Sequence, residues 1–224
     1  MVNKKLKNRT DSIIIFVRFP RKGQVKTRLA ETTSSEFALN FYKLCAENLI
    51  RNIKKVPAVN RFIFYSNKKE KTEIINWLGN KFLFASQEGD DLGSRMKSAF
   101  EKVFSVGSQK VIIVGTDIPD LSKEIIMKAF EMLDSYDVVI GPAKDGGYYL
   151  LGMKKMNSEL FEKIEYSTFS VLSETMTKIE ELNLAYHLLP ELNDIDTEDD
   201  LINWLNHDYN NSIKRDVKLV YKPA

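Results

Sequence analysis

The sequence predicts an α/β protein with a mostly parallel sheet and helices on both faces of that sheet. Short apolar runs alternate with segments of helical period, and strands that alternate with helices form parallel sheets with right-handed crossovers. One run, residues 111–114, consists of four β-branched residues, which is typical of a strand buried on both faces. With 224 residues and 43% hydrophobic content, the chain is long enough for one sizeable α/β domain.

Seven short apolar runs are the candidate strands. In chain order they are residues 13–17, 61–65, 82–85, 111–115, 136–140, 148–153 and 184–189. Helical patterns fill the gaps between them. Thr33 and Glu36 form a capping-box signature before a helix over residues 37–53. Ser122 and Thr197 indicate two further helix starts.

A single domain is predicted over residues 12–206. Residues 1–11 form a basic segment that is predicted to be flexible. Residues 207–224 lose a clear period and are predicted to be a C-terminal tail, in which residues 217–221 would pack as an edge strand.

Composition bears on the partners and the compartment. Lys and Arg total 33 against 31 Asp and Glu, so the formal net charge of +2 gives no reason to expect a nucleic-acid partner. No apolar run approaches the roughly 20 residues that a membrane helix needs, so no membrane partner is expected. The single cysteine, Cys45, lies in a helical pattern, which favours a buried thiol and a cytoplasmic location. The sequence does not indicate the oligomeric state.

The segment after residues 111–114 carries the first candidate for chemistry. Asp117 follows the strand at its predicted carboxyl edge, where open α/β sheets bind their ligands. Gly115 would let a ligand approach the backbone, and Pro119 stiffens the exit. An aspartate at this place can hold a divalent cation against phosphate oxygens. The alternative is a strand-to-helix turn capped by Asp117 or Ser122.

The connection after the first predicted strand is long and cationic. Residues 18–30, RFPRKGQVKTRLA, exceed the roughly two to six residues that ordinarily link a strand to a helix. Gly23 supplies flexibility, and the cations of this loop could surround a polyphosphate. These cations are Arg18, Arg21, Lys22, Lys26 and Arg28. The loop is not a P-loop, because GxxxxGK followed by Ser or Thr is absent. The alternative is a solvated basic loop.

Two glycine-bearing segments are weaker candidates. Gly89 and Gly93 flank a turn that opens into a helix, whose first N–H groups could meet an anion or a nucleobase edge. The Asp-Gly-Gly turn at residues 145–147 leads into an aromatic and aliphatic strand. The alternative for this turn is a simple hairpin of the kind that Asp-Gly favours.

An acidic cluster near the C-terminus is the last candidate. Asp194 and Asp196 precede the Thr197 cap, and alternate residues of an extended segment point the same way. Mg²⁺ takes one or two carboxylates and completes its shell with water and phosphates, so Asp117 with one of these two aspartates would suffice. The acidic residues at 198–200 are interpreted as dipole complementation at a helix start.

Five motifs in this order resemble a known family. They are FVRFPRKGQVKTRLA, QEGDDLGSRMKSAF, VIIVGTDIPDL, GPAKDGGYYLLGM and LPELNDIDTEDDL. Over residues 12–205 the chain resembles bacterial GT-A-fold transferases labelled as arsenosugar-biosynthesis or radical-SAM/selenodomain-associated glycosyltransferases. It is similar, more distantly, to phospholactate guanylyltransferase and molybdenum cofactor guanylyltransferase.

The resemblance implies a three-layer GT-A fold, that of the nucleotide-diphospho-sugar transferases, and roles for individual residues. Nucleotide binding is implied for Arg18, Gly23, Lys26, Thr27, Arg28, Gln87, Gly89, Leu92, Gly93, Arg95 and Thr116. Metal binding is implied for Asp117 with Asp194 or Asp196. Acceptor contact is implied for Asp145, Gly146, Gly147 and Tyr148. The catalytic residues would be Lys26, Arg28, Asp117 and Asp145.

The function that follows is that of a Mg²⁺- or Mn²⁺-dependent transferase with a nucleotide or nucleotide-sugar donor and a small-molecule acceptor. The first hypothesis is glycosyl transfer from a nucleotide sugar. One alternative is nucleotidyl transfer, in which NMP moves from an NTP to a phosphorylated small molecule and pyrophosphate leaves. The other alternative is a nucleotide-binding module without turnover. The first loop lacks the GGxSxRxG form of sugar nucleotidyltransferases and GTD is not a DxD motif, so the donor stays open.

Overall fold

The computed structural model describes residues 11–206 and 213–221. Within these ranges the chain forms a seven-stranded sheet in the order β3-β2-β1-β4-β6-β5-β7. The strands are β1 (Asp11–Val17), β2 (Val59–Tyr65), β3 (Leu83–Ser86), β4 (Lys110–Val114), β5 (Val138–Pro142), β6 (Tyr148–Met153) and β7 (Tyr186–Leu188). The helices are α1 (Thr27–Thr32), α2 (Ser35–Lys55), α3 (Lys71–Leu78), α4 (Leu92–Ser105), α5 (Lys123–Met132), α6 (Val171–Glu181), α7 (Glu198–Asn206) and α8 (Lys214–Val220). Lys68–Glu70 and Ser158–Phe161 are short 3₁₀ helices.

The sheet is mostly parallel, as predicted, and each predicted strand overlaps an observed one. β1 pairs in parallel with β2 and β4, and β7 pairs in parallel with β5. β6 is antiparallel to both of its neighbours, β4 and β5, because a short hairpin joins β5 to β6. This hairpin is the Asp-Gly-Gly turn, in which Gly146 N donates to Ala143 O at 3.1 Å. The turn therefore has the hairpin geometry that Asp-Gly favours, and the acceptor role of Asp145 stays a prediction.

Apolar side chains on the two faces of the sheet give the fold its three layers. On β1, Ile13 and Ile15 belong to one buried cluster and Ile14 to another, because successive side chains of a strand point to opposite faces. The first cluster is completed by α2, α3 and α5. The second is completed by α4 and α6, with Phe100 of α4 fully buried. The predicted α/β fold with helices on both faces is confirmed.

The C-terminal segment packs against the first helices in a third cluster. Trp204 of α7 and Val217 of α8 belong to one buried cluster with Phe41 and Cys45 of α2, and the Trp204 and Phe41 rings meet edge to face. The edge strand predicted for residues 217–221 is wrong, since these residues lie in and directly after α8. Val217 lies four residues after the buried Ile213, which is the spacing of one helix face, and this packing overrides the β propensity of VKLVY. Residues 207–212 and 222–224 of the predicted tail lie outside the described residues.

The observed start of α2 differs by one residue from the predicted cap. The cap of α2 is Ser34, whose side chain accepts from Phe37 N at 3.0 Å. Thr33 instead ends α1, and its hydroxyl donates to Leu29 O. Ser122 caps α5 as predicted.

Thr197 marks the start of α7, as predicted. Its hydroxyl accepts from Asp200 N at 3.2 Å, while Asp200 Oδ2 accepts from Thr197 N at 2.9 Å. Asp200 is therefore part of a reciprocal cap as well as a charge near the helix dipole.

The N-terminal segment, Cys45 and the search for membrane helices bear on the remaining sequence predictions. Residues 1–10 of the segment predicted to be flexible lie outside the described residues, and Asp11 begins β1. Cys45 is fully buried, and burial raises the pKa of its thiol. Among the described helices, none combines the length and apolarity that crossing a bilayer requires.

Candidate active site

A cleft of about 1180 Å³ opens at the carboxyl ends of β1 and β4. This is the edge at which open α/β sheets bind their ligands. We call one side the cationic wall, formed by the first loop and α1 (residues 18–28), by the ends of β1 and β4 and by the segment around the start of α4 (residues 87–96). We call the other side the acidic wall, formed by the lining residues within 143–149 and 164–171 and by Asp194.

Lys26 lies at the floor of the cleft between two carboxylates. Its ammonium Nζ is 2.7 Å from Asp196 Oδ1 and 3.1 Å from Asp117 Oδ1. The lysine side chain is only 2% exposed, whereas the carboxylates are 43% and 51% exposed. Burial alone would lower the pKa of Lys26, but the two carboxylates outweigh it and the pKa is raised. Lys26 is therefore a permanent internal cation.

The backbone at Lys26 has a strained conformation. Lys26 is the residue before α1 and adopts φ 47° and ψ 47°, the left-handed region that non-glycine residues rarely occupy. Gly23, with φ +75°, shapes the turn before it but does not line the cleft. Strain of this kind persists where the surrounding contacts fix it, and here both carboxylates hold the side chain.

Tyr42 of α2 ties the first loop to the end of β4. Its hydroxyl donates to Arg18 O at 2.9 Å and accepts from Arg18 N at 3.1 Å. The same oxygen accepts from Thr116 Oγ1 at 3.2 Å. Burial and the neighbouring Asp117 raise the pKa of Tyr42 to about 12, so the hydroxyl stays protonated. The sequence analysis did not single out Tyr42, because its helical spacing is that of an ordinary core residue.

The cationic wall contains the guanidinium groups of Arg18, Arg28 and Arg95 in addition to Lys26. Arg95 Nε donates to Gly89 O at 2.9 Å, which orients the side chain along the start of α4. Gln87 is fixed at the end of β2, where its Nε2 donates to Phe64 O at 2.9 Å. Such groups bind phosphate and hydrogen-bond to a base or ribose.

At the start of α4, one of the N–H groups that the sequence analysis offered to a ligand is bonded to a side chain instead. Asp91 caps the helix, and its Oδ1 accepts from Ser94 N at 2.7 Å, a bond that lowers the pKa of Asp91. Gly89 and Gly93 do not line the cleft. A Cβ on Gly93 would lie 2.1 Å from the Tyr166 ring, so this glycine allows the aromatic side chain to pack against α4.

The acidic wall is positioned by the β5–β6 hairpin and by the chain around Leu192. Asp145 Oδ1 accepts from Gly147 N at 2.8 Å, which fixes the carboxylate at the turn. Leu192 N donates to Pro142 O at 3.1 Å, and this backbone pairing places Asp194 beside the hairpin. Burial, with Asp145 and Asp196 nearby, raises the pKa of Asp194 to about 6.

A loop before α6 completes the acidic wall with residues that the sequence analysis missed. The segment over residues 164–169 includes Glu165 and Tyr166, and the side chain of Phe169 is 87% exposed. Gly146 fixes the end of this loop, because its carbonyl oxygen accepts from Leu172 N, in the first turn of α6, at 2.9 Å. No sequence motif marked these residues, because the loop has neither a glycine-rich turn nor a charge cluster.

The structure brings most of the predicted site residues to one cleft. Those that line it are Arg18, Lys26, Thr27, Arg28, Gln87, Leu92, Arg95, Thr116, Asp117, Asp145, Gly147, Tyr148, Asp194 and Asp196. Those that do not line it are Gly23, Gly89, Gly93 and Gly146, which shape or support the segments around it. Within residues 11–206 and 213–221, no group of three or more His, Cys, Asp or Glu side chains forms a metal-ligand cluster, so the three predicted aspartates do not make a closed ligand set.

Gly146→Ala is expected to disturb the acidic wall. Gly146 has φ +86°, and a Cβ there would lie 2.1 Å from Phe169 O. Gly107→Ala is the matched control, because Gly107 has φ +95° but no atom within 4 Å of its Cβ position. We expect Gly146→Ala to lower the free energy of unfolding in urea by about 1–3 kcal/mol more than Gly107→Ala does. Equal losses would show that the loop before α6 does not rest on Gly146.

Comparison with known proteins identifies the family. The chain belongs to the family described as uncharacterized protein conserved in bacteria (DUF2064), whose model matches residues 49–168. A 2-phospho-L-lactate guanylyltransferase of Methanocaldococcus sp. (strain FS406-22) is 32% identical over 183 residues, which are 80% of this chain and 75% of that protein.

Solved structures agree with this placement. A protein from Desulfovibrio desulfuricans G20, described as a nucleotide-diphospho-sugar transferase, superimposes with a TM-score of 0.88 at 34% identity, over 92% of this chain and 91% of that one. Rv0371C from Mycobacterium tuberculosis, solved in complex with manganese, has a TM-score of 0.55 at 9% identity, over 87% of this chain and 97% of that one, and shows the fold alone.

By family and fold the chain is an enzyme, a transferase with the nucleotide-diphospho-sugar transferase fold. The predicted similarity to phospholactate guanylyltransferase is confirmed. The arsenosugar label stays a prediction.

Proposed function

We propose that this transferase depends on a divalent metal and takes an activated nucleotide as its donor, with the nucleotide phosphates at the floor of the cleft. The observation that supports this most is the buried Lys26 ammonium between Asp117 and Asp196. It places a fixed positive charge and two half-exposed carboxylates at the ligand-binding edge of the sheet, next to the guanidinium groups of Arg18 and Arg28. Phosphate oxygens and a hard cation can both find partners there.

Asp117 and Asp196 fit a divalent cation. Mg²⁺ binds through one or two carboxylates and completes its octahedral shell with water and substrate phosphates, so an open pair is sufficient. Both carboxylates turn one oxygen to Lys26 and remain about half exposed. Mg²⁺ or Mn²⁺ would supply charge neutralisation and a Lewis acid at the phosphate oxygens. The manganese complex of the M. tuberculosis neighbour supports this choice of cation for the fold, and Asp194 stays a candidate third ligand.

Residues of the cationic wall have separate roles in this proposal. Arg18, Lys26 and Arg28 stabilise charge that develops on the leaving phosphate, and the backbone at Thr27 and Thr116 lies near the phosphates. Gln87, Leu92 and Arg95 contact the base or ribose in this proposal, and all three line the cleft near the end of β2 and the start of α4. Preorganised donors that face developing charge are the largest contribution to catalysis in many enzymes.

Glycosyl transfer is the reaction that we propose first. The acceptor hydroxyl oxygen attacks the anomeric carbon, the bond from that carbon to the diphosphate oxygen breaks, and the nucleoside diphosphate leaves with the electron pair. The proton of the hydroxyl passes to the carboxylate of Asp145. Asp145 lines the same cleft as Arg18 and Arg28, which supports this reaction because a base and groups that stabilise the leaving phosphate are both present in one site.

Nucleotidyl transfer is the second candidate, and the guanylyltransferase relatives favour it. Here an acceptor oxygen attacks the α-phosphorus of a nucleoside triphosphate, the bond to the bridging oxygen breaks, and pyrophosphate leaves. The same cationic residues would neutralise the leaving pyrophosphate.

A thermal-shift panel of nucleoside triphosphates and nucleotide sugars, with and without Mg²⁺, tests the proposal. A ligand at 100 times its Kd stabilises the folded state by about 2.7 kcal/mol, which corresponds to a rise in Tm of roughly 5–10 °C for a chain of this size. We expect such a rise for one donor class, larger with Mg²⁺ than with EDTA. Release of a nucleoside diphosphate from that donor would identify glycosyl transfer, and release of pyrophosphate would identify nucleotidyl transfer. A Tm that no nucleotide raises would contradict the proposed function.

A further inference from the structure

Positive charge is distributed unevenly between the two walls of the cleft. The basic residues that line it, Arg18, Lys26, Arg28 and Arg95, all belong to the cationic wall or its floor. Along the acidic wall, within the described part of the chain, the lining includes no Lys, Arg or His. It presents instead the carboxylates of Asp145, Glu165 and Asp194.

A phosphorylated or carboxylated acceptor would meet a wall that has no cationic side chain of its own. Lys26 interacts with Asp194 of this wall but is already paired with Asp117 and Asp196. Proteins that bind phosphate or carboxylate groups supply Arg, Lys or free backbone N–H groups for the purpose. In this wall the backbone N–H groups of Gly147 and Glu165 already donate, to Asp145 Oδ1 and to Glu174 Oε2. Carboxylates accept hydrogen bonds and cannot donate them when ionised, so they suit ligands that carry O–H groups.

An aromatic surface lies beside these carboxylates. Phe169 lines the cleft and is 87% exposed, more than any other large apolar residue in the described part of the chain. Tyr148 and Tyr166 line the same wall. An exposed ring next to carboxylates can cover the C–H face of a sugar or polyol while its hydroxyl groups bond to the carboxylates.

We propose, on the basis of the proposed function, that the molecule that receives the transferred group is an uncharged, hydroxylated compound, a polyol or a sugar. Its hydroxyl groups donate to Asp145 and Glu165, and its C–H face packs on Phe169. Phosphorylated acids are repelled by the same carboxylates. In this respect the chain differs from its relatives, whose name specifies 2-phospho-L-lactate.

The first test measures the binding of 2-phospho-L-lactate to the protein saturated with its Mg²⁺–nucleotide donor. Mg²⁺ is present throughout, so that a phosphate bridged by metal would also be detected. We expect a Kd weaker than about 1 mM for the wild type. Glu165→Lys places a cation in the acidic wall and should tighten this binding at least about fivefold. Glu159→Lys is the matched control, because Glu159 is exposed, undergoes the same charge change and does not line the cleft.

The second test compares turnover with matched acceptors, such as glycerol with glycerol 3-phosphate and glucose with glucose 6-phosphate. We expect kcat/KM for the uncharged member to exceed that for its phosphorylated partner at least about tenfold, which is the effect of one unfavourable charge contact in a partly desolvated site. Phe169→Ala should raise KM for the uncharged acceptor while the nucleotide affinity stays the same.

Submillimolar binding of 2-phospho-L-lactate by the wild type, or faster turnover of a phosphorylated partner, would overturn this inference. An equal response of the Glu165→Lys and Glu159→Lys variants would overturn it too. If the proposed function itself were wrong, the thermal-shift panel would show no nucleotide binding, which distinguishes that outcome from failure of the acceptor inference. A protein that binds the donor and prefers anionic acceptors retains the proposed function and refutes only the acceptor class.

Discussion

Asp117→Asn is expected to reduce kcat by about 10²–10³-fold while the protein remains folded. Asparagine keeps the shape of the side chain but removes the charge that would hold a divalent cation against the phosphates. The side chain of Asp117 is 51% exposed and contributes little packing, but it is one of two partners of the buried Lys26 ammonium, so we expect the free energy of unfolding to fall by about 1–3 kcal/mol. Steady-state turnover and urea unfolding measure the two effects.

Asp134→Asn is the matched control for this experiment. Asp134 is an exposed aspartate that pairs with Lys110 outside the cleft. It should retain wild-type turnover. Full activity of Asp117→Asn would refute the metal role of Asp117, and equal loss in both variants would show that the effect has no connection with the cleft.

Lys26→Ala is expected to weaken nucleotide binding by about 10–100-fold and to lower kcat/KM further. Hydrogen bonds to charged groups contribute about 1.5–3 kcal/mol each, and Lys26 would contribute in the bound and in the transition state. Lys22→Ala is the matched control, because Lys22 lies in the same loop, pairs with the exposed Glu36 and does not line the cleft. Isothermal titration with the donor measures the affinities.

Loss of folding must be separated from loss of binding in this variant, because the Lys26 side chain is buried. Lys26→Met retains most of the buried volume and removes the charge, so it should show the same loss of affinity. Both variants remove the ammonium that is paired with Asp117 and Asp196. The two carboxylates are then free to bind Mn²⁺, so we expect Mn²⁺ binding to persist. Unchanged nucleotide affinity in Lys26→Met would show that the first loop serves another purpose.

The strands and their parallel order could be predicted because buried strands leave continuous apolar runs, as at residues 111–114. The direction of β6 could not be predicted from such a run, because it depends on whether the preceding turn is a hairpin or part of a crossover. The edge-strand prediction for residues 217–221 was wrong for a related reason. Those residues have β propensity, and only contact with α2 and α7 makes a helix more stable there.

The site could be predicted where charge and backbone signals coincide, as for Asp117 after β4 and Lys26 in the first loop. Tyr42 and Phe169 were not predicted. Tyr42 has the helical spacing of a core residue, and Phe169 lies in a loop without a sequence motif. The ion pair of Lys26 with Asp196 was also out of reach, because residues separated by 170 positions meet only through the fold. The functional roles assigned to these residues stay predictions.

The buried ammonium between Asp117 and Asp196 has a consequence for how this enzyme matures. Two neighbouring carboxylates that lacked a counter-ion would repel each other and make assembly of the sheet edge wait for a metal. Here the chain carries its own counter-ion, so the two carboxylates can come together in the final architecture before any divalent cation is bound.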